Sequence, residues 1–279
     1  MGSLVSTDWL ARELGAADLR IVDATHRLSG SGRDARAEYE AAHIPGAVYF
    51  DLADISDADN PLPNMMPPPH KFASRMQSLG IGDGSRIVVY DDSPLHSASR
   101  AWWMLRSFGA MRVAILDGGF AKWRAEGRPV ESGRPQVRHG HFTPLPDPAA
   151  VADKPFMLAN LERKSHQVLD ARPAARFSGD AADPHGVPSG HIPGSANLPQ
   201  DRLFNDDNRF KQGEALRAEF DAAGIDLDKP LVTTCGSGVT AAILLFGAHL
   251  LGKDDVKLYD GSWSEWGADP DTPKAIGAA

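Results

Sequence analysis

The chain has 279 residues, a formal net charge of −8, 42% apolar residues and 24% charged ones. That composition suits a globular protein with a proper core and room for one large domain or two ordinary ones. No basic run is visible, which argues against nucleic acid and anionic membranes as partners. A single cysteine, Cys235, rules out an intramolecular disulfide and suits a reducing compartment. The N-terminus lacks a basic segment followed by an apolar one, and the most apolar stretch, 239–251, is too short to span a bilayer, so the cytoplasm is the expected location.

Taken in chain order, residues 21–23 and 87–90 read as buried strands, 97–109 as a helix and 113–116 as a third strand. After a proline-rich stretch the series recurs: a strand at 168–170, a helix at 213–224, then strands at 231–234 and 256–259. The recurrence extends to the letters. "IVDATHRL" (21–28) pairs with "VLDARPAARF" (168–177), and "AHIPGAVYFDL" (42–52) with "GHIPGSANLPQ" (190–200). "RIVVYDD" (86–92) pairs with "PLVTTCG" (230–236), and "ILDGGFAKW" (115–123) with "LYDGSWSEW" (258–266). Four blocks in one order at similar spacing indicate a duplication. The expected organisation is a first domain over 1–140, a proline-rich linker over 141–156 and a second domain over 157–279. The fold class is α/β: each domain a mostly parallel sheet with helices on both faces. Ligands of such sheets bind off the carboxyl ends of the strands, where Cys235 falls.

After Cys235 the chain reads Gly236-Ser237-Gly238-Val239-Thr240 and then turns helical. Glycines let the backbone curl and aim successive N–H groups at one point, and a helix start adds unpaired N–H groups and a positive dipole end. Such a field favours a thiolate and any anion built on it. The competing role is a buried, inert cysteine. Strand alignment, however, gives Asp91 as the counterpart of Cys235, so the fold itself does not require a thiol there. Cysteine-dependent phosphatases grip phosphate with an arginine six positions after the thiol. Here that position is Ala241, and neither Lys nor Arg occurs from Gly236 to His249.

With these residues in view, the chain resembles the two-domain sulfurtransferases of the rhodanese family over nearly its whole length. "CGSGVT" is similar to the active-site loop of the members that use 3-mercaptopyruvate, and the paired "HIPG" blocks and "DGSWSEW" are typical of the family. The resemblance implies two tandem rhodanese-like domains, the first non-catalytic. It implies attack by Cys235 on the sulfur of 3-mercaptopyruvate, release of pyruvate, and a Cys235 persulfide held by the loop Gly236, Ser237, Gly238, Val239 and Thr240. The acceptor would be a thiol, cyanide or a thioredoxin-like protein. No cofactor and no metal are implied. The alternatives are a thiosulfate sulfurtransferase and a non-catalytic rhodanese-like binding module.

Within this reading Ser237 and Thr240 supply the nearest hydroxyls for the leaving enolate, with helix capping the expected role of Thr240. Substrate carboxylate falls to Arg176, matched by the resemblance, with Arg172 as a second candidate whose competing role is a structural salt bridge. His185 stands where many relatives carry another substrate arginine. A proposed Ser-His-Asp relay would map onto Ser237, His43 and Asp34. Against it, His191 occupies the same "HIPG" setting in the second repeat, which points to structural work for both histidines. Asp23 and Asp170 read as hydrogen-bonded structural acids. Trp263, Trp266, Phe120 and Trp123 read as packing residues.

Overall fold

The structure is a computed structural model that describes residues 1–28, 30–184 and 186–278. The chain forms two compact units. The first comprises Met1–Ala58, Met66–Asp147 and Asp206–Arg209; the second comprises Asp59–Met65, Pro148–Asn205 and Phe210–Ala279. Each unit therefore includes a short segment from the other half of the sequence.

In unit 1 the order is β1 (Leu4–Val5), α1 (Thr7–Glu13), β2 (Leu19–Asp23), α2 (Ala35–Ala41), β3 (Val48–Tyr49), α3 (Leu52–Ile55), α4 (Pro69–Ser78), β4 (Arg86–Tyr90), α5 (Ala98–Ser107), β5 (Val113–Leu116) and α6 (Gly119–Ala125). The strands form one parallel sheet in the order β1-β5-β4-β2-β3. Unit 2 repeats the plan: β6 (Val151–Ala152), α7 (Lys154–Arg163), β7 (Gln167–Asp170), α8 (Ala174–Ser178), β8 (Ala196–Asn197), a 3-10 turn (Gln200–Leu203), α9 (Gly213–Ala222), β9 (Leu231–Thr234), α10 (Ala241–Leu250), β10 (Val256–Tyr259) and α11 (Ser262–Trp266). Its sheet is also parallel, ordered β6-β10-β9-β7-β8. The α/β class and a parallel sheet in each repeat are as the sequence implies; the five-strand count of each sheet comes from the structure. The outermost strands of each sheet are two residues long, too short to leave a pattern, and β6 and the start of α7 fall inside the stretch read as linker.

The central strands are buried on both faces, which is why "RIVVY" and "LVTT" read as apolar or β-branched runs without alternation. Val168, Ile192, Val232, Tyr259, Trp263 and Trp266 make one core of unit 2. Ile21, Val88, Tyr90, Phe120 and Trp123 belong to the corresponding core of unit 1. In both units the "HIPG" histidine ties the end of its repeat to the core. The backbone of His43 pairs with Glu131, and that of His191 with Ala275, each through two N–H···O bonds.

Candidate active site

Buried β9 delivers Cys235 to the carboxyl edge of the unit 2 sheet, between the neighbouring strands β10 and β7. The loop that follows is anchored on α11. The Cys235 carbonyl accepts from Trp263 N at 2.9 Å, and the Gly236 carbonyl accepts from Ser264 N at 2.8 Å and Ser264 Oγ at 2.6 Å. In a trans peptide the N–H points opposite to the carbonyl. Fixing these two carbonyls on α11 therefore turns the N–H groups of Gly236 and Ser237 the other way. Gly238 has a φ of 77°, a left-handed turn that a side chain would oppose. Thr240 occupies the N-cap of α10, but its side chain makes no capping hydrogen bond, contrary to the capping role expected from sequence. The first turn of this ten-residue helix thus lacks a side-chain cap.

Cys235 is only 2% exposed. Ser262 lies beside it, and withdrawal from bulk water strengthens the dipoles that face it. Ser262 is fully buried at a φ of 49°, unusual for a residue with a Cβ. Its Oγ lies 2.8 Å from the Tyr259 carbonyl, 3.3 Å from Cys235 N and 4.0 Å from Cys235 Sγ. Ser237, 8% exposed, has the side-chain amide of Asn64 against it: Nδ2 lies 3.3 Å from both its carbonyl and its Oγ. Asn64 comes from the Asp59–Met65 segment of unit 2.

Unit 1 shows what the same loop does with a carboxylate. The Asp91 carbonyl accepts from Phe120 N at 3.0 Å, as the Cys235 carbonyl accepts from Trp263 N, so the two residues are structural counterparts. The Asp91 carboxylate accepts from Ser93 N at 3.0 Å and Ala98 N, the first residue of α5, at 2.7 Å. Main-chain N–H groups of the loop and helix start thus hold an acidic side chain where unit 2 has sulfur. Burial pushes the pKa of Asp91 up to about 6, against these hydrogen bonds.

The two arginines of "DARPAARF" separate. Arg172 is 1% exposed; its guanidinium bonds Asp170 at 2.7 Å and the Gly190 carbonyl at 2.7 Å and lies over the Trp263 ring, 4.5 Å from its centroid. Arg172 thus makes a buried ion pair, the competing role noted from sequence. Arg176, on α8, keeps its side chain 22% exposed and pairs through Nη2 with Asp183 at 2.9 Å. Its buried Nε has no hydrogen-bond partner among the described residues. Asp183 also lies 3.7 Å from Arg172 and so links the two cations. His185 lies outside the described residues.

The two residues read as possible relay partners, His43 and Asp34, each have structural contacts. His43 is 1% exposed, stacks on Tyr39 with ring centroids 4.3 Å apart, and is oriented by the Tyr39 carbonyl at 2.8 Å and not by a carboxylate. His191 repeats this arrangement on Phe177, at 3.8 Å and 2.9 Å. Asp34 caps α2, accepting from the N–H groups of Arg36 and Ala37. Three residues escaped the sequence: Ser262 looks like part of a packing motif, Asp183 like loop, and Asn64 has no counterpart in the repeat that would single it out.

Among the described residues no cluster of side chains could hold a metal ion, and no helix is long and apolar enough to cross a membrane. Fold and site together define a duplicated α/β protein with one thiol on a strand–loop–helix turn. The chain belongs to the rhodanese family: the rhodanese-like domain matches it twice, over residues 6–126 and 156–269. It is 42% identical to the 3-mercaptopyruvate sulfurtransferase of Escherichia coli K12 over 273 residues, covering 96% of each chain. It is 43% identical to that of Mus musculus over 271 residues, covering 95% of this chain and 91% of the mouse protein. The crystal structure of SseA from Escherichia coli, a 3-mercaptopyruvate sulfotransferase, superposes with a TM-score of 0.87 at 41% identity, covering 95% of this chain and all of SseA. The protein is an enzyme that transfers sulfur between a small-molecule donor and acceptor.

Proposed function

We propose that the chain moves sulfur from 3-mercaptopyruvate to a thiophilic acceptor through a persulfide on Cys235. The observation that carries this reading is the placement of the only thiol at the end of β9, at the head of a glycine loop leading into a helix without a side-chain cap. The Cys235 thiolate attacks the donor sulfur and forms an S–S bond. The C–S bond breaks, its electron pair passes to carbon, and pyruvate leaves as its enolate. A proton then restores the methyl group, matching the one the donor thiol gives up as the persulfide anion forms. The N–H groups of Gly236 to Thr240 stabilise that anion as an oxyanion hole does, in the way the Asp91 loop holds its carboxylate. Ser237 donates to the enolate, and the part-exposed guanidinium of Arg176 takes the donor carboxylate while Asp183 fixes one side of its fork. In the second step a thiol, cyanide or thioredoxin-like protein removes the outer sulfur.

The stretch before "GHIPG" gives a second reading its footing: His185 in place of an arginine weakens the grip on a carboxylate donor, which leaves thiosulfate as the alternative. Values of kcat/KM for both donors separate the two; a higher value for thiosulfate overturns the first. With Arg176→Ala, KM for mercaptopyruvate should rise about tenfold or more, the worth of a charge-assisted hydrogen bond. The amide of the same donor should be little affected. Equal effects on both would make Arg176 structural.

A further inference from the structure

We propose that Asn64 is a positioning residue for sulfur transfer: its side-chain amide holds the Ser237 hydroxyl as a neutral hydrogen-bond donor toward the leaving group. The inference rests on mercaptopyruvate as donor, whose enolate needs such a hydrogen bond. Asn64 Nδ2 lies 3.3 Å from the Ser237 carbonyl and 3.3 Å from its Oγ. The carbonyl can only accept, so the amide must present its N–H₂ side and not its oxygen. Donation to Oγ occupies a lone pair of the hydroxyl and leaves its O–H to point elsewhere. The contact to the carbonyl fixes the backbone from which that hydroxyl projects.

The local backbone is arranged for this contact. Asn64 has a φ of 62°, and asparagine is among the few residues other than glycine that enter the left-handed region readily. Just before it, Leu62 N bonds Asn60 Oδ1 at 3.0 Å, closing a turn in the segment that packs as part of unit 2. An amide neither takes nor gives up a proton near neutral pH. A serine held by one therefore acts by dipole alone, and its contribution should not titrate.

Two variants test this. Asn64→Gly removes the amide and keeps the backbone conformation; Asn64→Asp keeps both shape and backbone but replaces the donor with an ionisable acceptor. With mercaptopyruvate, kcat should fall about tenfold in Asn64→Gly, the effect of one misdirected hydrogen bond, while KM changes little. With thiosulfate, whose sulfite leaves without needing a proton, kcat should hold. In Asn64→Asp, kcat with mercaptopyruvate should acquire a new limb, falling as pH rises through the titration of the introduced carboxyl, because the ionised carboxylate takes up the Ser237 O–H. Equal losses with both donors, or no loss with either, would overturn the inference. A parent enzyme that does not turn over mercaptopyruvate at all would instead overturn the donor assignment. Should Asn64→Gly fail to fold, the pH profile of Asn64→Asp decides alone: absence of the new limb refutes the role.

Discussion

Ser262 combines two properties that seldom meet without purpose: a left-handed φ and complete burial beside a reactive atom. Its Oγ accepts from Cys235 N, donates to the Tyr259 carbonyl and lies 4.0 Å from Sγ, so it ties the cysteine in place and can turn its one proton from that carbonyl to the thiolate. Removing it should lower kcat/KM about tenfold, the scale of one hydrogen bond to a charged group. The comparison of Ser262→Ala with Ser262→Gly separates two causes, because glycine relaxes the backbone while both lack the hydroxyl. Equal losses are expected; activity retained in the glycine variant alone would shift the role from hydroxyl to backbone. At this scale the letters were only partly legible. "DARPAARF" presents two arginines in one motif, and only burial beside Asp170 tells the ion-paired Arg172 from the part-exposed Arg176. The likeness of His43 to His191 was legible from the paired "HIPG" blocks, and the two rings make matching contacts to a carbonyl.

The ends of the strands carry the next layer. In unit 2 the carboxylate closing β7, Asp170, faces Arg172 two residues on. In unit 1 the carboxylate closing β2, Asp23, has Thr25 at that position and accepts its N–H at 2.9 Å. Without the guanidinium, burial dominates and raises the pKa of Asp23 from 3.8 to about 6. A carboxyl with a raised pKa favours the folded state below the unfolded value of 3.8 and loses that advantage as pH climbs through about 6. Asp23→Asn should therefore raise stability at pH 7.5, by up to about 3 kcal/mol from the size of the shift, and change it little at pH 4. Denaturant melts at the two pH values check this; a variant less stable at pH 7.5 would mean the ionised group is needed. Elements themselves were legible where they are long. The central strands and the helices 98–107 and 213–222 lie where the apolar patterning puts them. The two-residue edge strands were not, since pairing and not pattern defines so short a strand. Nor was the absence of a side-chain cap at Thr240, because capping depends on a rotamer that sequence does not fix.

At the scale of the molecule, a duplicated chain has kept two copies of one loop and given them different occupants. Unit 1 fills its loop with the Asp91 carboxylate, while unit 2 places Cys235 at the same point. The duplication was fully legible in four paired blocks. The exchange of short segments between the units, which brings Asn64 to Ser237, was not, because it follows from three-dimensional packing and leaves no periodic trace. One competent loop per chain has a direct consequence for stoichiometry. Mass spectrometry of the protein after treatment with mercaptopyruvate, followed by peptide mapping, should find a single added sulfur per chain, on the peptide carrying Cys235, and none in Cys235→Ser. An unmodified Cys235 peptide under turnover, or sustained sulfur transfer by Cys235→Ser, would contradict the persulfide.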